Sequence, residues 1–207
     1  MLLVDAVTSL GGMEVNVDDW NIDVVVTASQ KGWMAPPGLA MISINQKGWQ
    51  AHGEAKIPRY YWDFTHAKNY LKKDQTPWTP PLNIVYALSV SLELMLKEGL
   101  SNIITRHAQL AKTAREGVKS LGLSLFAEES HASNTVTAVA ASDGLDVKKL
   151  LRILRDEHQI ILGGGQQKLD GKIFRIGHLG WVTEDDIKSV LSALKVVLPQ
   201  AGFRGVS

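Results

Sequence analysis

Two short apolar runs constrain this chain more than any other feature. Leu2-Leu3-Val4 and Ile22-Asp23-Val24-Val25-Val26-Thr27-Ala28 are rich in the branched side chains that fill a strand buried on both faces. Each then stops on polar residues that such a strand does not tolerate. Asp5 closes the first run, and Ser29-Gln30-Lys31 closes the second. Residues 6–21 between them are about the length that a crossover needs to lay two strands side by side in parallel. Parallel pairing puts Asp5 and Lys31 at the same carboxyl edge of one sheet, where ligands bind in open α/β folds.

A carboxylate and an amine at that edge are the two groups that pyridoxal phosphate takes from a protein. The lysine forms a Schiff base, and the acid pairs with the pyridinium nitrogen. The ordinary alternative for Lys31 is a solvated loop residue. The loop Gly32-Trp33-Met34-Ala35-Pro36-Pro37-Gly38 and the apolar run 39–44 beyond it favour the functional reading. An amine held between buried strands and an aromatic loop is poorly hydrated, and that favours imine formation.

Five segments then occur in order along essentially the whole chain: Leu-Val-Asp-Ala-Val-Thr-Ser-Leu-Gly-Gly (3–12), Thr-Ala-Ser-Gln-Lys-Gly (27–32), Ala-Pro-Pro-Gly (35–38), Gln-Thr-Pro-Trp-Thr-Pro (75–80) and Phe-Arg-Ile-Gly (174–177). Together they resemble the class V aminotransferases, and within that group the alanine–glyoxylate and serine–glyoxylate aminotransferases. The resemblance implies an α/β, fold-type I transferase dependent on pyridoxal 5′-phosphate. Residues 1–98 would be the C-terminal part of the large, mostly parallel sheet domain, and residues 99–207 the small α+β domain. It implies that Lys31 carries the cofactor, that Asp5 keeps the pyridine nitrogen protonated and that Val7 packs on the ring face. It also implies that Gln30 bonds the cofactor phosphate. Thr79 would reach the phosphate of the neighbouring subunit in a homodimer with shared active sites. Thr76 stands where some relatives have a tyrosine serving the same phosphate. A second reading of Thr79 is an N-cap ahead of Pro80 at the first helical position.

Arg175 alternates with Phe174 and Ile176 along a strand and so points opposite to both. By itself it reads as a solvated strand arginine. The resemblance implies instead that it grips the substrate α-carboxylate, which suits a guanidinium's fixed fork. The implied reaction is transamination from alanine or serine to glyoxylate.

Met1 leads straight into an apolar strand, whereas members of the resembled family carry roughly as much sequence again on that side. The expectation is therefore a truncated chain, lacking an N-terminal half that supplies a phosphate-binding helix N-terminus and a stacking aromatic. Such a chain would bind the cofactor weakly and transaminate little or not at all, and its exposed strand edge would promote self-association.

The remaining function classes narrow on composition. The 207 residues include no cysteine, which excludes from this chain disulfides, Cys-ligated zinc, iron–sulfur clusters and a catalytic thiol. Six histidines show no paired metal-ligand spacing, so no metal is expected. A net charge of +1 without a basic block argues against nucleic acid or an anionic membrane surface as partner. No apolar run approaches the roughly 20 residues of a membrane span, and a soluble cytoplasmic protein is expected. Cysteine desulfurases share the implied fold but need a cysteine. A phosphoserine-type aminotransferase stays open. So does a partner-binding subunit, because some relatives are labelled as part of a soluble hydrogenase, although this chain has no thiolate for nickel or a cluster.

Further along, residues 39–44 follow too closely for a helical crossover and should pair antiparallel. Residues 45–80 read as irregular, with a turn at Gln46-Lys47-Gly48-Trp49. Residues 81–98 form an amphipathic helix with Ile84, Val85, Leu88, Leu92, Met95 and Leu96 inward, stopped by Gly99. Ser101 caps the next helix, whose His107 reads as packing only. Strands at 123–126, 135–140, 159–162 and 172–176 and helices at 146–158 and 184–198 follow, Thr183 and Asp186 opening the last as a capping box. Gly163-Gly164-Gly165 lacks the ending of a phosphate loop and reads as a flexible turn.

Overall fold

The computed structural model describes residues 1–205 and divides into two compact units. The first comprises Met1–Val7 and Val15–Lys97; the second comprises Thr8–Glu14 and the chain from Glu98 onward. In the first unit, β1 (Leu3–Asp5) pairs in parallel with β2 (Val24–Ala28), and Asp5 stands opposite Val26. The crossover between them is a succession of turns without a helix. β3 (Ala40–Ile44) runs antiparallel to β2, from Val24 opposite Ile44 to Ala28 opposite Ala40. The sheet order is β1-β2-β3. Only β2 has the buried alternation of a core strand, with Val25 and Thr27 inside. β1 departs from the expectation of burial on both faces: Leu3 is 61% exposed. It is an edge strand of this sheet.

The stretch expected to be irregular contains two helices. α1 (Gln46–Glu54) starts where a turn was expected, because the Asn45 side chain accepts from Gly48 N at 2.8 Å and caps the first turn. Asn45 is itself held by Asp23, whose buried carboxylate accepts from Asn45 Nδ2 (2.9 Å), Leu2 N (2.7 Å) and Lys47 Nζ (3.1 Å). These donors hold its pKa down at about 2. α2 (Phe64–Leu71) is capped in the same way by Asp63, which accepts from Thr65 N at 2.8 Å. α3 (Leu82–Glu98) lies where the periodicity put it, yet only Ser91 and Met95 are fully buried on it. Val85 and Leu96, expected inward, are exposed, Leu96 by 81%.

The larger segment of the second unit begins just before α4 (Leu100–Ser120). Gly99 adopts φ +85° there, which a side chain would resist, and it is the N-cap. The cap is backbone only, so Ser101 is a first-turn residue and not the cap expected of it. Strands β4 (Ser124–Leu125), β5 (Val136–Ala140), β6 (Gly163–Gly164) and β7 (Ile173–Gly177) form one antiparallel sheet in the order β4-β5-β7-β6. With α5 (Val147–His158) and α6 (Glu184–Gln200) they enclose a single core. Phe174, Ile176 and Val139 of the sheet meet Leu110, Leu150, Leu154 and Leu194 of the helices there. The Thr183–Asp186 capping box opens α6 as the sequence indicated.

Residues 159–162 are not a strand. Gln159 takes a left-handed conformation (φ +56°) and, with Ile160, turns its N–H back to Leu154 O, so these residues finish α5. The strand falls one step later, on the glycines read as a flexible turn. Gly163 pairs with Arg175 and Gly164 with Phe174. Gly165 donates to Ile173 O at 3.0 Å, and a Cβ there would lie 1.9 Å from the Leu169 carbonyl oxygen, so the third glycine is required by close backbone approach.

Candidate active site

The parallel register of β1 and β2 brings Asp5 and the start of the Lys31 loop to one edge of the first sheet. Asp5, the last residue of β1, is exposed, and its Oδ1 accepts from Val7 N at 2.9 Å, so the chain's own turn orients the carboxylate. Val7 is half-buried beside it. Lys31 is half-buried in the turn after β2, and Gln30 next to it is exposed.

That turn is a closed loop with a defined neck. Ser29, fully buried, donates from Oγ to Pro36 O (2.7 Å) and accepts there from Leu39 N (3.3 Å). Its backbone N–H donates to Leu39 O (3.1 Å), and its carbonyl accepts from Ala35 N (3.0 Å). Inside the neck, Met34 N donates to Lys31 O at 3.0 Å, with Met34 held at φ +57°. The Trp33 indole N–H donates to Thr27 Oγ1 at 3.0 Å, and Ser91 of α3 donates to Trp33 O. Sequence reading found Lys31 but not Ser29, Thr27 or Ser91. The available signal was the hydroxyl-bearing pattern Thr-x-Ser at the end of an apolar strand.

Thr76 and Thr79 sit elsewhere in the same unit, both exposed. They line an open basin of about 780 Å³ together with Trp78, Pro80, Leu82 and Val85, and its lining includes neither Asp5 nor Lys31. Thr76 Oγ1 donates to Trp78 O at 2.6 Å, fixing the bend of the proline-rich segment. Thr79 is not a helix cap, because α3 begins only at Leu82. Stacked rings flank the segment: Tyr61 and Trp78 lie 5.3 Å apart between centroids.

Arg175 belongs to the second unit. Its neighbours Phe174 and Ile176 are buried in the core while it is half-buried on the other face, the expected alternation. Arg175 Nε donates to Gly164 O at 3.0 Å, which locks one side of the fork against β6.

Two buried histidines complete this unit. His107 donates from Nδ1 to Ile103 O (2.8 Å) and accepts at Nε2 from Gly180 N (3.1 Å), so it packs and also ties α4 to the turn after β7. His178 was not singled out in the sequence. Its Nδ1 donates to Asn134 O (3.1 Å), and its Nε2 accepts from the Thr137 hydroxyl (2.8 Å). Loss of hydration pushes its pKa down from 6.5 to about 4, and His107 is lowered by the same cause.

A lowered histidine pKa makes stability depend on pH in a defined window. Above 6.5 the imidazole is neutral in both states and its contribution is complete. As pH falls from 6.5 to about 4 the unfolded chain takes up the proton first, and the contribution is lost. The drop corresponds to about 3 kcal/mol at 1.36 kcal/mol per pKa unit. Urea unfolding at pH 7.5 and 4.5 should show this loss, and His178→Gln should remove most of it. An unchanged pH dependence in the variant would assign the effect to other groups.

Among the described residues, no group of three or more His, Asp or Glu could hold a metal ion, and no helix is long and apolar enough to cross a membrane.

A soluble hydrogenase small subunit from Synechococcus sp. (strain PCC 6716) is 44% identical over 98% of this chain and 53% of its own length. The serine–glyoxylate aminotransferase of Arabidopsis thaliana is 36% identical over 98% of this chain and 51% of its own. The solved structure of an alanine–glyoxylate aminotransferase from Nostoc sp. superposes with a TM-score of 0.90 at 34% identity, covering 96% of this chain and 54% of that one. The chain thus spans about half the length of the curated relatives it matches. Its fold is the α/β fold of the fold-type I aminotransferases. The family described as Aminotransferase class-V matches residues 1–177, and the chain belongs to that family.

Proposed function

We propose that this chain carries the lysine, the ring-pairing acid and the substrate arginine of a transaminase that moves an amino group from alanine or serine to glyoxylate. The observation that supports the reading is the parallel pairing of β1 and β2, which brings Asp5 and the start of the Lys31 loop to one sheet edge. These two groups fit pyridoxal phosphate. Asp5 is exposed and already oriented by Val7 N–H, so a protonated ring nitrogen can approach it from solvent. Lys31 stands on a loop rather than in a core layer, so its amine can be engaged and released without disturbing the sheet. When bound, the cofactor supplies an electron sink for the pair left on the substrate α-carbon.

The chain's own residues do the rest. The Lys31 amine anchors the cofactor aldehyde and, once displaced, takes and returns the substrate α-proton. Asp5 holds the proton on the ring nitrogen. Val7 packs on the ring face, Gln30 bonds the phosphate, and Thr79 with Thr76 serves the phosphate site of a second subunit in a cytoplasmic homodimer. The basin's lining includes neither Asp5 nor Lys31, and this supports a site shared between subunits. Arg175 binds the α-carboxylate through the part of its fork not engaged by Gly164 O. Glyoxylate transaminases among the relatives support this substrate pair. The hydrogenase-named relative does not alter the reading, since these 207 residues supply no thiolate.

Saturating pyridoxal phosphate, needed because a chain of half the relatives' length is expected to hold it weakly, should give a visible absorbance band that alanine or serine slowly bleaches and glyoxylate restores. No band, or a band indifferent to amino acids, would overturn the proposal. Arg175→Lys should leave the band in place and raise the amino-acid concentration needed to bleach it about 10-fold or more, because lysine keeps the charge but loses a charge-assisted bond of the fork. Equal weakening of cofactor and amino acid would make Arg175 a structural residue.

A further inference from the structure

The hydrogen bonds around the Lys31 loop form a chain that reaches the strand carrying Asp5. The Trp33 indole N–H donates to Thr27 Oγ1 at 3.0 Å, and the Thr27 hydroxyl donates onward to Ala6 O at 3.3 Å. Thr27 is buried at the end of β2, and Ala6, fully buried, directly follows Asp5. Ala6 N closes the ladder on Val26 O at 2.8 Å. One hydroxyl therefore ties the Lys31 loop, two residues beyond the lysine, to the backbone one residue beyond the acid. A hydroxyl is the group this link needs, since it must accept from an indole and donate to a carbonyl at once. The other side of the loop is held by Ser91, which donates to Trp33 O.

We propose that Thr27 and Trp33 are positioning residues that fix the Lys31 amine relative to Asp5 through the indole–hydroxyl–carbonyl chain. The proposal rests on the reading of Lys31 as the cofactor-anchoring amine. Ser29 closes the neck of the loop, and that alone fixes where the loop leaves and rejoins the sheet. The neck does not fix the rotation of the loop about its base. Trp33 does, because its ring and its carbonyl are held in two directions. The Lys31 side chain, two residues away and half-buried, inherits that orientation.

The test uses the 207-residue chain and the variants Thr27→Val, which keeps the shape and removes the hydroxyl, and Thr27→Ser, which keeps the hydroxyl. Two readouts are taken. One is the rate of pyridoxal phosphate capture at Lys31, trapped with borohydride and located by peptide mapping. The other, without cofactor, is hydrogen exchange at the amides of Met34 and Ala35, whose bonds to Lys31 O and Ser29 O report loop closure. Thr27→Val should speed exchange about 10-fold, roughly the worth of one hydrogen bond. It should slow capture about 10-fold or more, since small misplacement is costly in rate. Thr27→Ser should behave as the parent.

Capture as fast in Thr27→Val as in the parent would overturn the proposal, as would slowed capture with unchanged exchange. Equal defects in Thr27→Ser would also overturn it, because the hydroxyl would not be the cause. If Thr27→Val does not fold, Trp33→Phe removes the same donor from the other end, with the same expectations. Label on a lysine other than Lys31 in the parent, or none, would instead sink the assignment of Lys31 itself.

Discussion

Replacing Lys31 with alanine is expected to abolish covalent capture of pyridoxal phosphate completely while changing stability by about 0.5 kcal/mol or less. The first half follows from chemistry: capture of an aldehyde needs an amine, and Lys31 is the lysine on the loop that leaves the carboxyl end of β2. The second half follows from structure. Lys31 is half-buried in a turn whose closure uses its backbone carbonyl, accepting from Met34 N, and not its side chain. Borohydride reduction and peptide mapping of parent and variant check the chemistry, and urea unfolding checks the fold. Label retained at another lysine would remove Lys31 from the site. A large loss of stability would show instead that the aliphatic stem of Lys31 is part of the packing.

Phe174→Ala should cost about 3–5 kcal/mol, the usual range for emptying a buried aromatic position. Phe174 is wholly buried, standing opposite Val139 on β5 and within the core that α4, α5 and α6 share with the sheet. The second unit should therefore unfold at clearly lower urea concentration, with tryptophan-independent probes such as far-ultraviolet circular dichroism following the transition. Because Arg175 lies on the opposite face, the variant should keep its amino-acid response wherever it remains folded. A cost below about 1 kcal/mol would mean that the core refills the space, which its dense helical packing argues against.

Several parts of this architecture are written locally in the chain. Residues 22–28 announce a buried strand through branched side chains, and the short link to residues 39–44 leaves only antiparallel pairing; both appear as β2 and β3. The α6 capping box needs only Thr183 and Asp186 in the right spacing. Alternation put Arg175 opposite Phe174 and Ile176 without knowledge of any partner strand. The ordered motifs identified the family, although each is short, because order over the whole chain is hard to produce by chance.

What the sequence left open was decided by contacts between distant residues. The α1 start depends on Asn45, and Asn45 is held by Asp23, 22 residues away in the chain. Gly163 and Gly164 carry no strand signal of their own. They become β6 because β7 offers its free edge and small residues allow the close approach. Val85 and Leu96 of the apolar stripe of α3 are exposed, since periodicity records that a helix has an apolar face but not how much of it this chain covers. The sequence by itself determined that the strand ending on Asp5 pairs in parallel with the strand leading into the Lys31 loop, because strand pattern and crossover length are local quantities. Only the tertiary structure decided how the lysine's loop is held, because Thr27, Trp33, Ala6 and Ser91 meet by folding and no spacing rule connects them.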